Sequence, residues 1–212
     1  MRLSSCLLQY FNQYLLQIKG TSEQSIKTYR QTFSLFLYSL GNFHSIKIKS
    51  LKIEHLSADA VLSFLHHLET HRKNIVQTRN NRLAVIKSLA KMIRFLHPDK
   101  KHIAETILNI PQKRAQKKIM GFLYPDEIMK VFKTVDLKKK EGMRDYTILH
   151  LLYDSGARAS EIATLDLDYF DPRNETIAVL GKGNRYRLIN LGPKTASLIT
   201  SYILNYRIDP IP

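Results

Sequence analysis

The strongest constraint on this chain is the apolar spacing of its first 98 residues. Four segments repeat apolar side chains at intervals of three and four, the mark of a helix with one buried stripe. The first covers residues 5–18, with Leu7, Leu8, Phe11, Leu15 and Ile18 on one face, and closes at Gly20. The second covers 22–40 and aligns Ile26, Tyr29, Phe33, Phe36, Leu37 and Leu40; Gly41 and Asn42 are expected to end it. Ser57 opens the third, with Val61, Leu62, Leu65 and Leu68 turned inward. The fourth, 76–96, carries Val76, Leu83, Ile86, Ala90, Ile93 and Leu96, and His97-Pro98 breaks it. Four such helices with short connections make one all-helical module.

A short helix follows over 100–108. Residues 110–121 then hold a proline and four basic side chains without an acid, which reads as a linker. Tyr124-Pro125-Asp126-Glu127 starts a further helix, and 142–155 forms another, stopped by Gly156. Beyond Pro172 the period changes. Residues 175–180 and 185–191 are strand-like and flank Gly181-Lys182-Gly183-Asn184, a hairpin signal. A last helix spans 194–206. The chain is therefore mainly α, with a small β-hairpin. It divides into a helical domain at 1–98, a basic linker at 99–120 and an α+β domain at 121–212.

Composition narrows the partners. The 212 residues hold 33 Lys and Arg against 18 Asp and Glu, a formal charge of +15. Such an excess calls for a polyanion, either nucleic acid or an anionic membrane face. No apolar run is long enough to span a membrane, and no signal peptide is present, so no membrane association is expected. The single cysteine, Cys6, excludes an internal disulfide and a multi-cysteine zinc site and fits a reducing, cytoplasmic setting.

The charge is concentrated. Residues 72–118 contain 13 basic side chains opposed only by Asp99 and Glu105. On the fourth helix Arg79, Arg82, Lys87, Lys91 and Arg94 lie off the apolar stripe. They form either a solvated face or a phosphate-facing one. The lack of interleaved acids favours phosphate, and Lys113, Arg114, Lys117 and Lys118 extend the same surface through the linker. Without tryptophan or dense aromatic interleaving, double-stranded DNA is a better match than a single strand, and no RNA-binding module is recognisable.

Residues 154–161, Asp-Ser-Gly-Ala-Arg-Ala-Ser-Glu, place Arg158 in the first turn of a helix, where a cation opposes the dipole. A bound phosphate would explain this placement: helix N–H groups and a guanidinium would hold it together. Glu161, three residues on, can fix the arginine's rotamer, although a plain surface ion pair gives the same spacing. Lys182 sits between two glycines at the hairpin tip. It is either a solvated turn lysine or a group reaching a base edge or a leaving oxygen. The surroundings are not those of a P-loop.

The stretch LLYDSGARASEIATLDLDYF, followed by VLGKGNRYRLINL, resembles the first half of a tyrosine recombinase (phage-integrase) catalytic domain. Gly156, Arg158, Glu161 and Ile162 match the family's arginine motif, and Lys182 its hairpin lysine. Ser25, Thr28, Tyr29, Phe33 and Phe36, with TRNNRLAVIKSLAKMIRFL, resemble the family's helical core-binding (SAM-like) domain, whose last helix lies against DNA. The resemblance implies DNA breakage and rejoining through a 3′-phosphotyrosyl link, with no metal and no cofactor. Arg158 would clamp the nonbridging oxygens, Lys182 would act as general acid and Glu161 would orient the arginine or support the fold. Asp166, Asp168 and Asp171 offer a metal alternative, but they fit a helix end and a turn better.

The family's His-x-x-Arg motif and its nucleophilic tyrosine find no match among the 212 residues. The expectation is a recombinase chain cut within its catalytic domain, associated with the nucleoid, self-associating on DNA and inactive alone. The alternative is a stand-alone DNA-binding module that competes with full-length recombinases.

Overall fold

The computed structural model describes residues 1–116, 121–181 and 183–207. The chain forms two compact units, Met1–Lys118 and Ile119–Pro212.

In the first unit, α1 (Leu3–Gln9) runs directly into a wider π-type helix, Tyr10–Ile18. Then follow α2 (Glu23–His44), α3 (Ala58–Thr70), α4 (Val76–Leu96) and α5 (Lys101–Leu108). The core joins Phe36, Leu40, Phe64, Leu65, Leu68, Leu83 and Ile86, all nearly inaccessible to water. The Phe36 and Phe64 rings meet at 5.2 Å, fastening α2 to α3. Ser57 caps α3 as its position implied, its hydroxyl accepting from the Ala60 N–H at 3.2 Å.

Several details depart from the sequence reading, Leu8 and Ile18 among them, which are exposed rather than on a buried stripe. Helix α2 passes through Gly41 and ends at Ser45, whose φ of 55° is left-handed. The Ile46 N–H bonds back to the Gly41 carbonyl at 2.9 Å, and a Cβ on Gly41 would stand 3.0 Å from the Ile46 carbonyl oxygen. Gly41 thus sits under a tight fold-back that follows the helix and is not a stop. Leu62 is exposed, and Phe64 takes its place in the stripe of α3. Finally, the segment expected to begin a linker at 99 belongs to the first unit: Ile103, Ala104, Ile107 and Ile110 are buried in its core.

The second unit contains α6 (Pro125–Lys133), α7 (Lys140–Ser155) and the short α8 (Ala159–Ala163). An antiparallel sheet follows, in the order β1 (Phe170–Asp171), β2 (Thr176–Gly181), β3 (Arg185–Asn190), and then α9 (Pro193–Asn205). The β2–β3 hairpin has the expected place, with Gly181 paired to Arg185. Gly183 and Asn184 both have positive φ, which glycine and asparagine tolerate best. Strand β1 is an addition: the Asp171 carboxylate accepts from the Arg173 and Asn174 N–H groups, closing the turn that leads into β2. Leu151, Ala157, Ile177, Val179, Leu191 and Ile199 form this unit's core. No helix among the described residues is long and apolar enough to cross a membrane.

Candidate functional site

Helix α7 ends at Gly156, whose φ of 58° turns the chain sharply. Ser155 supports the turn by donating to the Leu151 carbonyl and accepting from the Ala157 N–H. Arg158 then stands at the N-cap of α8 in extended conformation, one position before the first turn in which it was expected. Its backbone N–H donates to Glu161 Oε2 at 2.9 Å, and its Nη1 donates to Oε1 at 2.8 Å. The carboxylate thus meets both the orphan N–H of the helix start and the cation beside it.

Glu161 also holds Arg187, on β3. Nη1 donates to Oε1 at 3.1 Å and Nη2 to Oε2 at 2.7 Å. Four hydrogen bonds therefore converge on one carboxylate that is only 6% exposed. Arg187 is the leading cause holding the Glu161 pKa down at about 2, with the Arg158 backbone N–H next. In return, Glu161 raises the pKa of Arg187. Gly181 makes room for the pair, since a Cβ there would lie 3.2 Å from Arg187 Nη1. The Arg158 side chain remains 69% exposed while tethered, so a fixed guanidinium is presented to solvent. One negative charge between two positive ones leaves a net cation, suited to a doubly coordinated oxyanion.

Nearby, Asp154 Oδ2 accepts from the Gly192 N–H at 2.6 Å and ties the end of α7 to the start of α9. Lys182, the predicted hairpin cation, lies outside the described residues, as do Lys117 and Lys118. Asp166 and Asp171 engage their own turns, and among the described residues no group of three metal-ligating side chains gathers.

Arg187 is absent from the sequence reading. The signal was the two-residue alternation that sets Arg185, Arg187 and Ile189 on one face of β3. Ile189 pairs with buried Ile177, and Arg187 with buried Val179, so this face turns inward.

The basic set on α4 and the linker is divided by the structure. Arg79 is 4% exposed, and its Nη1 donates to Asn80 Oδ1 at 3.0 Å and to the Pro111 carbonyl at 3.5 Å. Asn80 pairs with the Lys113 backbone, donating to its carbonyl at 2.7 Å and accepting its N–H at 3.1 Å. The Lys113 ammonium bonds Glu69 at 2.7 Å. Lys87 donates to the Leu108 carbonyl at 2.7 Å. These side chains supply donors to the backbone of 108–113, where it leaves α5 and crosses α4. Arg79 is therefore interior rather than part of an open basic face, and Lys87 caps α5. Arg82 is half-buried; Lys91, Arg94 and Arg114 are exposed.

Residues 121–209 match the model of the phage integrase family. The chain is 28% identical over 191 residues to the tyrosine recombinase XerC of Staphylococcus carnosus, covering 90% of this chain and 61% of that protein. It is 29% identical over 201 residues to the XerC of Myxococcus xanthus, covering 94% and 63%. In fold it is similar to the Tn1549 transposon integrase, solved in complex with a circular intermediate DNA. That match has a TM-score of 0.68 at 13% identity and covers 98% of this chain and 67% of the other. The phage integrase match covers residues 121–209, and along most of its length the chain is similar to tyrosine recombinases.

Proposed function

We propose that this chain binds double-stranded DNA and carries part of the cationic machinery of site-specific recombination. The observation that supports this most directly is Arg158: exposed, yet held at its backbone and side chain by a buried carboxylate that Arg187 shares. Attack by a tyrosine on a phosphodiester builds negative charge on the nonbridging oxygens, and fixed cations already aimed at that charge lower the barrier. Arg158 holds those oxygens. Glu161 and Arg187 position it. Lys182 delivers a proton to the departing 5′-oxygen. Arg82, Lys91, Arg94 and Arg114, with Lys117 and Lys118, contact phosphates along the duplex, whereas Arg79, Lys87 and Lys113 hold the protein surface that presents them.

The phenol of tyrosine, with a pKa of ~10, needs strong activation to attack at neutral pH. None of the 212 residues supplies a His-x-x-Arg motif to share that task. The chain accordingly binds DNA without cutting it, either as part of a recombinase or as a separate module occupying recombinase sites.

The test is a mobility-shift titration at low salt with duplex DNA and with RNA of equal length, followed by incubation with a nicked suicide substrate. Tighter binding to the duplex and no covalent adduct are expected. Failure to bind duplex sinks the DNA assignment, and a trapped protein–DNA adduct overturns the inactivity of this chain.

A further inference from the structure

Strand β3 ends the sheet, whose order is β1, β2, β3, and among the described residues no backbone hydrogen bond leaves its free side. Along Arg185–Asn190 a row of N–H and C=O groups is thus left to solvent, a template for a further strand. Folded proteins blunt such an edge with lysine, proline, a bulge or a covering element. Strand β3 holds no lysine and no proline, and its pairing with β2 runs unbroken from Arg185 to Asn190. Its two arginines, Arg185 and Arg187, share the inner face, where Glu161 holds Arg187.

The outer face consists of Thr176, Ala178 and Leu180 on β2 and, opposite them, Asn190, Leu188 and Tyr186 on β3. None of these side chains is charged, in a chain whose formal charge is +15. Leu188 and Tyr186 stand largely in solvent. Tyr186 is nevertheless held: its hydroxyl meets that of Tyr169 at 2.9 Å, with the ring centres 5.4 Å apart. A steadied aromatic side chain loses little freedom on contact, which suits it to an interface.

We propose that β3 pairs antiparallel with the β3 of a second copy of this chain, about a two-fold axis at Leu188. The two three-stranded sheets then become one continuous sheet. Charge selects this occupant. Copies of so basic a chain repel one another, and here they meet through an uncharged face with Arg187 already matched by a carboxylate. Each copy brings the same open edge, so each satisfies the other's backbone groups. Charge also selects the register. Centring on Leu188 sets that side chain against its equivalent, Tyr186 beside Asn190 and Arg187 beside Ile189, so no two cations face each other. A register centred one residue earlier would oppose the two Arg187 side chains. The contact uses neither Arg158 nor the basic side chains of the first unit, so it stands whether or not the DNA reading does.

The experiment uses the whole chain without DNA. Sedimentation equilibrium is run over a range of protein and salt concentrations for wild type, Leu188→Lys, Leu188→Glu and, as an equal change at another exposed leucine of the same unit, Leu204→Lys. Circular dichroism verifies that each is folded. Wild type is expected to approach twice the monomer mass, and more readily as salt rises, because screening relieves the repulsion between like-charged copies. Either substitution at 188 places like charges together at the axis and weakens association by about tenfold or more. Leu204→Lys leaves it unaltered. An equimolar mixture of Leu188→Lys and Leu188→Glu associates again, since opposite charges then meet. Amide exchange over 185–190 slows as wild type is concentrated.

A wild type that stays monomeric overturns the proposal and leaves the edge to a strand of another protein. Association that tolerates both charges at 188, or that weakens with salt, places the interface elsewhere and overturns it equally. If the mixture does not reassociate, the axis is not at Leu188. If association depends on Leu188 while exchange over 185–190 is unchanged, the outer faces touch without pairing of the strands, and the proposed sheet is wrong.

Discussion

Glu161 and Arg187 meet side on, Oε1 to Nη1 at 3.1 Å and Oε2 to Nη2 at 2.7 Å, across the space between α8 and β3. The geometry is the bidentate fork for which arginine and carboxylate are matched, and a lysine at 187 could supply only one of the two contacts. Because β3 supplies this anchor, the strand that leaves the Lys182 hairpin also sets the orientation of Arg158. The prediction is that Arg187→Lys loosens Arg158 without unfolding the unit. The measurement is the Arg158 Nε–H signal, which should broaden or move toward the position of a free arginine, while Arg158→Lys leaves the Glu161–Arg187 contact in place. A sharp, unmoved signal would show that Arg187 has no hold on Arg158.

The same carboxylate makes stability depend on pH. The Glu161 pKa lies near 2 in the folded chain, against 4.5 for an unperturbed glutamate. Between those values the unfolded chain takes up a proton that the folded chain refuses, so acidification favours unfolding. The contribution of Glu161 is complete above about pH 4.5 and is lost progressively as pH falls toward 2. Glu161→Gln should therefore melt well below wild type at pH 6, with the difference narrowing by pH 3. An equal difference at both pH values would assign the loss to packing rather than to charge.

In the first unit the side chain of Asn80 imitates a strand partner for Lys113, giving one hydrogen bond and receiving another. Asn80 is buried, so its removal leaves a carbonyl and an N–H of Lys113 unmatched. Asn80→Ala is expected to cost about 1–3 kcal/mol in urea unfolding. It should also speed trypsin cleavage after Lys113 and Arg114 by releasing their backbone. Unaltered cleavage would mean that the segment is held by Lys113–Glu69 and Arg79 instead.

The difference between the residues that were legible and those that were not has a physical cause. Arg158 and Glu161 stand three apart at a helix start, where local geometry alone brings them together, so sequence spacing suffices. Arg187 requires knowing which face of β3 is inward, and its neighbours mislead: Leu188 is 70% exposed and Tyr186 56%, so the more apolar face is the outer one. Arg79 has a similar history. Its place off the apolar stripe pointed to an open, phosphate-facing surface, but the 108–113 segment folds over that flank of α4 and needs donors for its carbonyls. Long-range packing decided both cases. The four-helix pattern of the first unit was readable because each stripe is a local property, and even there Gly41 signalled a tight fold-back rather than a helix end.

The basic residues of α4 should accordingly separate into two behaviours. Lys87→Met keeps the aliphatic stem but removes the cap on the Leu108 carbonyl, and should cost about 1 kcal/mol of stability with little change in the salt slope of DNA binding. Lys91→Gln with Arg94→Gln, both exposed, should leave stability within ~0.5 kcal/mol and lower the slope by roughly two. Denaturant melts and salt titrations of the same protein samples distinguish the two. A large slope change for Lys87→Met would restore it to the DNA-facing set.

His150, the only histidine after residue 121, lies 6% exposed on the Phe132 ring, the two centroids 4.3 Å apart. Its Nε2 is enclosed without a partner. Burial first, and the charge of Lys194 second, depress its pKa below the ordinary 6.5. A histidine that resists protonation in the folded state makes the unfolded state bind more protons, so stability declines as pH falls below about 6.5 and levels off once the folded pKa is passed. An imidazole C–H titration by NMR should give a midpoint under 6.5 for this residue. His150→Phe keeps the aromatic stack and removes the buried nitrogen. It should hold or raise stability by up to ~1 kcal/mol, and the acid-dependent decline in that window should disappear from the second unit. A midpoint at or above 6.5 would mean that the ring is partnered by an acid such as Asp154 and carries its charge in the folded protein.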